Sequence, residues 1–161
     1  MHKPAIQAVL IRDHEMIEIS EKGRQIGEAE VTSLEDEFGS KLPESYRRFL
    51  FLQNGGIPSP DVVDVTDAPG SPTDVQVFFG IGRDFESSDL FWNLRLFADR
   101  YPGREMLPIA CDSGGNLFCL RALKNGTFDV QYCDLDEPDG GLYEVAPDFD
   151  SFLNKIRQWE H

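Results

Sequence analysis

The stretch CDSGGNLFCL, residues 111–120, contains the residues that most suggest covalent chemistry. Its DSGG segment is four-fifths of the Gly-Asp-Ser-Gly-Gly string around the nucleophile of chymotrypsin-like proteases. A serine nucleophile needs a neighbouring base and a further group that orients that base. The only candidates for the base among imidazoles are His2, His14 and His161, two of them terminal. The sequence therefore predicts that Ser113 is a turn residue and not a nucleophile.

An acidic stretch near the C-terminus resembles a calcium-binding loop only superficially. The segment DLDEPDGG, residues 134–141, begins with the Asp-x-Asp spacing of such a loop. However, Pro138 occupies the third ligand position, the glycine arrives one residue late, and Glu144 is displaced from the twelfth position. Calcium requires oxygen ligands at fixed positions in the loop. The sequence therefore predicts a solvated acidic loop without a metal.

Other patterns that could serve cofactor or metal chemistry are incomplete. Gly80 and Gly82 follow a strand-like segment, but the third glycine of a dinucleotide-binding loop and the lysine of a P-loop are both missing. Cys111, Cys119 and Cys133 form no Cys-x-x-Cys pair, so they predict neither a zinc site nor a disulfide framework. No pair of carboxylates stands out for acid–base work. We expect a protein without catalytic residues, cofactor or metal.

The charge of the chain restricts its partners. Fifteen basic residues face 29 acidic ones, which gives a net charge of −14. Such a charge opposes binding to nucleic-acid backbones and to anionic membranes, and it favours encounter with a basic protein. Two long segments, between Arg48 and Arg83 and between Lys124 and Lys155, contain no basic residue. They form either a directional negative field or merely a solvated surface.

The length and the apolar pattern predict one α+β domain that is mostly antiparallel. At 161 residues the chain fits a single domain. It contains no apolar run long enough for a membrane span and no secretory cleavage site, so we expect a cytoplasmic protein. Apolar residues at helical spacing predict helices over residues 28–38, 43–53, 88–101 and 148–159. Residues 57–74, rich in proline and aspartate, predict a surface loop. The structure of residues 1–27 and the oligomeric state are left open.

Three strand-like segments predict a meander over residues 107–133. Asn125 and Gly126 stand between the second and third segments and form a strong hairpin signal, because both tolerate positive φ. Residues 112–116 occupy the equivalent place in the preceding connection. Here Gly115 is expected to adopt a left-handed conformation, because asparagine, aspartate and glycine are the residues that such turns favour.

Four motifs in this order resemble the SUKH superfamily, the Smi/Knr-type domain, over about residues 28–157. The first motif has an apolar residue, a glutamate and a glycine at Val31, Glu35 and Gly39. The same motif continues with LP, a following tyrosine and NGG, and the other three motifs are FFGIG, LPIACDSGGNLFCL and the DFDSFL helix. The motif residues are Leu42, Pro43, Tyr46, Asn54, Gly55, Gly56, Gly80, Gly82, Asp112, Gly114, Gly115 and Asn116. Residues 28–161 would form this domain, and residues 1–27 have no counterpart in it.

This resemblance implies a sheet flanked by helices and a protein-binding function without catalysis. Bacterial members of the superfamily act as immunity proteins that neutralise a cognate toxin domain, frequently a nuclease. Fungal members act as regulatory scaffolds, so a module that binds an endogenous partner is the alternative. Because a nuclease carries a basic surface, the acidic loops would be the partner-binding residues. The candidates are Asp61, Asp64 and Asp67 in the first loop, and Asp134, Asp136, Glu137 and Asp139 in the second.

Overall fold

The computed structural model describes residues 7–10 and 16–160 of the chain. The three histidines lie outside this range. The helices are α1 (Glu28–Phe38), α2 (Glu44–Leu52), α3 (Leu90–Arg100) and α4 (Phe149–Lys155). The first strands are β1 (Gln7–Leu10), β2 (Met16–Ser20), β3 (Ile57–Ser59), β4 (Val62–Val63) and β5 (Thr73–Asp74). The remaining strands are β6 (Val77–Phe78), β7 (Met106–Cys111), β8 (Leu117–Ala122), β9 (Phe128–Asp134) and β10 (Gly141–Ala146).

The architecture is a single α+β domain built on antiparallel sheets, as predicted. The largest sheet has the order β10-β9-β8-β7-β6, and β1-β2-β3 form a smaller one. Paired backbone hydrogen bonds of 3.0 and 2.8 Å between Gly56 and Phe78 connect the two sheets. No helix within the described residues is long and apolar enough to cross a bilayer.

The two faces of the large sheet are covered by different helices. Successive residues of a strand face opposite sides of its sheet. On β8, Phe118 packs in the main core against Phe152 of α4, with ring centroids 5.3 Å apart. The next residue, Cys119, packs instead in a smaller cluster with Phe97 of α3. The sheet is therefore buried between α4 and α3.

Aromatic side chains dominate the main core. Phe49 of α2 lies 4.9 Å from Phe78 and 5.2 Å from Phe149, measured between ring centroids. Tyr46 meets the same Phe149 ring edge-on at 5.0 Å. Such contacts add about 0.5–1.5 kcal/mol each beyond the burial of apolar area. The apolar side of α2 predicted from the sequence thus holds α4 against the sheet.

The meander predicted over residues 107–133 is formed by β7, β8 and β9, and its two turns are built alike. Gly115 N–H donates to Asp112 C=O at 3.1 Å, and Gly126 N–H donates to Leu123 C=O at 3.1 Å. Both glycines have positive φ, 88° and 83°. Asn125 does not have a positive φ, although asparagine tolerates that conformation. In each turn, only the fourth residue, a glycine, is left-handed.

Replacement of Gly115 by valine is expected to cost on the order of 1–3 kcal/mol, because a β-branched residue is strained at positive φ. Gly114→Val is the matched control, since Gly114 is a neighbour in the same turn without a positive φ. Urea denaturation of both variants tests this prediction. Equal midpoints would show that the conformation of Gly115 does not limit the stability of the turn.

Three segments differ from the sequence-based expectation. The last helix ends at Lys155 and not at residue 159, because Arg157 exchanges backbone hydrogen bonds with Val62 at 2.7 and 3.0 Å. Trp159 is consequently 57% exposed and does not belong to an apolar helix face. Residues 57–74 contain β3, β4 and β5 and bury Val63 and Val65 completely. The acidic C-terminal segment contains a further strand, β10, which was not expected from the sequence.

Residues 16–27 are part of the folded domain. Strand β2 pairs with β1 on one side and with β3 on the other. Ile17 and Ile19 of this strand are fully buried in the main core. The alternation of isoleucine with exposed Glu18 is the period-2 pattern of a half-buried strand.

Candidate functional site

Asn54, directly after α2, joins three distant segments of the chain. Its side-chain amide donates to Ile81 C=O at 2.8 Å and to Arg24 C=O at 3.0 Å. Its side-chain oxygen accepts from Ile81 N–H at 2.7 Å. Asn54 is 1% exposed and has a φ of 48°, which asparagine tolerates better than most residues. This residue of the NGG motif therefore has a structural function.

The motif glycines allow the backbone to approach Asn54 closely. A Cβ atom on Gly80 would lie 2.1 Å from Asn54 O. A Cβ atom on Gly55 would lie 2.7 Å from Phe78 O, and that residue has a φ of 86°. Gly82 has a φ of 74° and packs under the Arg24 guanidinium. Gly55 and Gly80 are therefore required for close packing of the chain, and Gly82 for its left-handed conformation.

The Leu-Pro motif is fixed to α1 by a buried carboxylate. Glu35 accepts from Leu42 N–H at 2.7 Å and from the Arg47 guanidinium at 2.9 Å. Pro43 precedes the first turn of α2 as its N-cap residue, with φ −63° and ψ 147°. The carboxylate thus connects the two helices and satisfies a backbone donor at the start of the second.

Asp112 fixes the turn that resembles a protease motif. It is 3% exposed, and its carboxylate accepts from Tyr132 Oη at 2.5 Å, Thr73 Oγ1 at 2.8 Å and Asn116 N–H at 2.8 Å. Burial and the hydrogen bond to Asp112 raise the pKa of Tyr132. The three donors that Asp112 binds are a tyrosine hydroxyl, a threonine hydroxyl and a backbone N–H, which fix the turn to its neighbours.

Ser113 and Cys111 lie beside this turn and close to the Asp74 carboxylate. Ser113 is exposed, and both its N–H, at 2.8 Å, and its hydroxyl donate to the Asp74 carboxylate. Burial, with the negative charges of Asp112 and Asp74, raises the pKa of the Cys111 thiol to about 11. Burial also raises the pKa values of Cys119 and Cys133. In residues 16–160, no group of three histidine, cysteine or carboxylate side chains is placed to hold a metal ion.

The three aspartates of the first acidic loop have different environments. Asp64 makes a bidentate ion pair with Arg157, at 2.8 and 2.9 Å, which lowers the pKa of its carboxyl group. Asp61 is half-buried, and its pKa is raised by burial and by the charge of Asp74. Asp67 is exposed and has a φ of 68°. Of these three aspartates, only Asp67 is exposed and makes no ion pair with another described residue.

The second acidic loop, residues 134–140, is anchored by two arginines that leave its carboxylates unneutralised. Arg100 donates to Leu135 C=O at 2.9 Å. Arg104 donates to Gly140 C=O at 3.3 Å and to Asp139 C=O at 2.5 Å. Both guanidinium groups also lie over the Tyr101 ring, at 5.4 and 4.4 Å from its centroid. The loop is therefore anchored to Arg100 and Arg104 through its backbone carbonyl groups.

Tyr143 of β10 marks the place where the two acidic loops meet. Its hydroxyl donates to both oxygens of Glu137, at 2.7 and 2.8 Å. This hydrogen bond, followed by burial and the charges of Glu137, Asp134 and Asp67, raises the pKa of Tyr143. We define the acidic surface as the set of carboxylates grouped here: Asp67, Asp134, Asp136, Glu137 and Asp139.

Sequence reasoning identified these carboxylates but missed the residues that position them. Tyr143 is a lone aromatic side chain in an acidic run, and Arg100 and Arg104 flank the end of α3. The structure brings Asp67 to the second loop, whereas Asp61 lies beside Asp74 and Asp64 is paired with Arg157. The strand β10 that carries Tyr143 was itself not expected.

Comparisons with known proteins agree with this architecture. A model of the SMI1 / KNR4 family (SUKH-1) matches residues 25–155. The match begins shortly before α1 and ends with α4, so it includes Asn54, Ile81 and the acidic surface, whereas Arg24 lies one residue before it. Neither the curated proteins nor the solved structures produced a match.

Proposed function

The chain belongs to the SMI1 / KNR4 family (SUKH-1), and on this premise we propose that it is an immunity protein. It binds a toxin domain with a basic surface, such as a nuclease, and neutralises it. The family is one of immunity-type domains that are generally non-catalytic. All three cysteines are free, which is typical of proteins in the reducing cytoplasm. An immunity protein against a nuclease would bind its toxin in that compartment.

The acidic surface is the observation that carries this proposal. Its five carboxylates make no ion pair among the described residues, although Arg100 and Arg104 lie beside the loop. These arginines bind carbonyl groups, so the negative charge stays available to a partner. A preorganised charged surface accelerates encounter with an oppositely charged protein and disfavours wrong partners. A basic nuclease surface, which evolved to hold phosphate, matches it in sign.

Inspection of the adjacent genes shows whether a toxin domain is encoded beside this chain, and co-expression of the chain with such a domain tests the proposal. We expect the chain to restore growth to cells that produce this domain and to co-purify with it. The Ser113→Ala variant should protect equally well, because the serine contributes only an exposed hydrogen bond to Asp74. Failure of the chain to bind or to protect against that domain would contradict the proposal.

A further inference from the structure

One edge of the large sheet is open. Strand β10 is the terminal strand of the order β10-β9-β8-β7-β6, and no other described strand pairs with its outer side. An edge strand presents unpaired N–H and C=O groups at every second residue, which form a template for a further strand. Most proteins cover or shorten such edges, so an accessible one at a candidate binding surface is informative.

The outer side of β10 faces a groove and not a packed wall. The groove has a volume of about 610 Å³ and runs along residues 142–147. Thr66, Asp67 and Lys155 also line it. The exposed Leu142 and Glu144 side chains project from the strand on one face, whereas Tyr143 is half-buried on the other. This space suits an extended segment that lies alongside the strand.

Only the first part of the edge is available for pairing. The register with β9 shifts between Glu144 and Ala146, and Lys155 Nζ donates to Val145 C=O at 2.7 Å. A bulge and a lysine are two devices that block edge-to-edge association. They protect the C-terminal half of β10 and leave Gly141–Glu144, a length of about 13 Å at about 3.4 Å per residue.

The charged residues beside the open segment determine which kind of peptide strand can pair with it. Asp67 and Glu144 line the groove, Asp134 pairs with Gly141 at the start of the strand, and Glu137 accepts from Tyr143. Lys155, the one basic residue of the lining, is bound to Val145 C=O in the protected half of β10. A second copy of the chain would bring identical carboxylates into opposition, and like charges directly opposite each other destabilise strand pairs. A segment with lysine or arginine at alternate positions would meet complementary charge.

We propose that the open part of β10, Gly141–Glu144, binds an extended basic segment of the partner by strand addition. Main-chain hydrogen bonds then provide affinity, and the flanking carboxylates select a positively charged strand. This inference rests on the proposed function, because it specifies how the acidic surface holds its partner. Strand addition contributes main-chain hydrogen bonds to the affinity, which attraction between charges alone does not provide.

Model peptides distinguish strand addition from attraction between charges. The probe is the heptapeptide Ac-KVKVKVK-NH2, and binding is followed by NMR shifts of the protein's backbone amides. One derivative carries N-methyl groups at residues 2, 4 and 6, which block a single edge of the extended peptide. Another carries them at residues 3, 4 and 5, which block both edges with the same number of methyl groups. The peptide Ac-EVEVEVE-NH2 controls for charge.

We expect the unmodified and the alternately methylated peptides to bind and to shift the amides of residues 141–144. Consecutive methylation should weaken binding at least about tenfold, and the acidic peptide should not bind. Equal binding of the two methylated peptides would overturn strand addition while leaving the acidic surface as a charged contact. Shifts away from β10, binding of the acidic peptide, or no binding by any peptide would also overturn it. The proposed function is tested separately, by whether the chain neutralises the toxin domain, so the two proposals can fail independently.

Discussion

The Asn54→Leu variant is expected to lose about 3–5 kcal/mol of unfolding free energy. Leucine has a similar volume but offers no hydrogen bonds. The substitution therefore leaves Ile81 N–H, Ile81 C=O and Arg24 C=O without their partner in a buried site. Each buried polar group without a partner costs about 1–3 kcal/mol. Leucine also tolerates the positive φ of this position less well than asparagine does.

Urea denaturation measures this loss, and Asn125→Leu provides the control. Asn125 is an exposed turn residue whose side chain accepts only from nearby Thr127. Its replacement should cost no more than about 1 kcal/mol, because water can satisfy the exposed groups. If Asn54→Leu were no more destabilising than Asn125→Leu, the three hydrogen bonds would not be what joins the segments.

The motif around Asn54 shows what a sequence can and cannot reveal about this fold. The NGG and GIG strings are recognisable in the sequence, and α2 is predicted to end at the first of them. The reason for their residue types is tertiary, because Arg24, Asn54 and Ile81 are far apart in the chain. Local patterns contain no information about such a meeting point, so Gly80 looks like a simple strand terminator.

Substitution of the second acidic loop by amides is the other change with a large expected effect. The variant carries Asp134→Asn, Asp136→Asn, Glu137→Gln and Asp139→Asn. Amides retain the acceptor that Tyr143 uses on Glu137 and suit the positive φ of Asp139. We therefore expect an intact fold and an association rate with the toxin domain that is about tenfold lower at low salt. The dissociation rate should change less, because exposed charges act mainly on encounter.

The matched control removes four negative charges from other elements. Its substitutions are Glu18→Gln, Asp36→Asn, Glu44→Gln and Glu86→Gln, all at exposed positions. Both variants have the same net charge, so a general effect of charge would slow both equally. A local effect of the acidic surface slows only the loop variant. Equal rates for the two variants would show that the position of the loop charges is irrelevant.

The composition of the acidic loops could be predicted, but their grouping could not. The gaps in basic residues identify Asp61, Asp64 and Asp67 as equivalent candidates. In the structure Arg157 neutralises Asp64, because the chain after α4 turns back to pair with Val62. The same turn shortens the last helix, which its apolar spacing extends to residue 159. The ion pair of Asp64 and the shorter last helix therefore both follow from the backbone pairing of Arg157 with Val62.

Strand β10 was missed because its sequence lacks a strand pattern. The segment GLYEVA follows a proline-containing acidic run, and its burial alternates only weakly. Its strand conformation depends on pairing with β9, from Gly141 opposite Asp134 to Glu144 opposite Gln131. The meander of β7, β8 and β9 was predicted correctly because its turns carry local signals, a glycine in each left-handed position.

Stopped-flow association with a toxin domain that the chain neutralises is the most direct test of a charge-steered partner. The rates of the chain, the loop variant and the control variant are compared at about 20 mM and about 500 mM salt, where the Debye length is about 20 Å and about 4 Å. We predict a fast association of the chain and the control at low salt, a slower one for the loop variant, and convergence of all three at high salt. An association rate of the chain that is indifferent to salt and to the loop substitutions would contradict a binding function for the acidic surface.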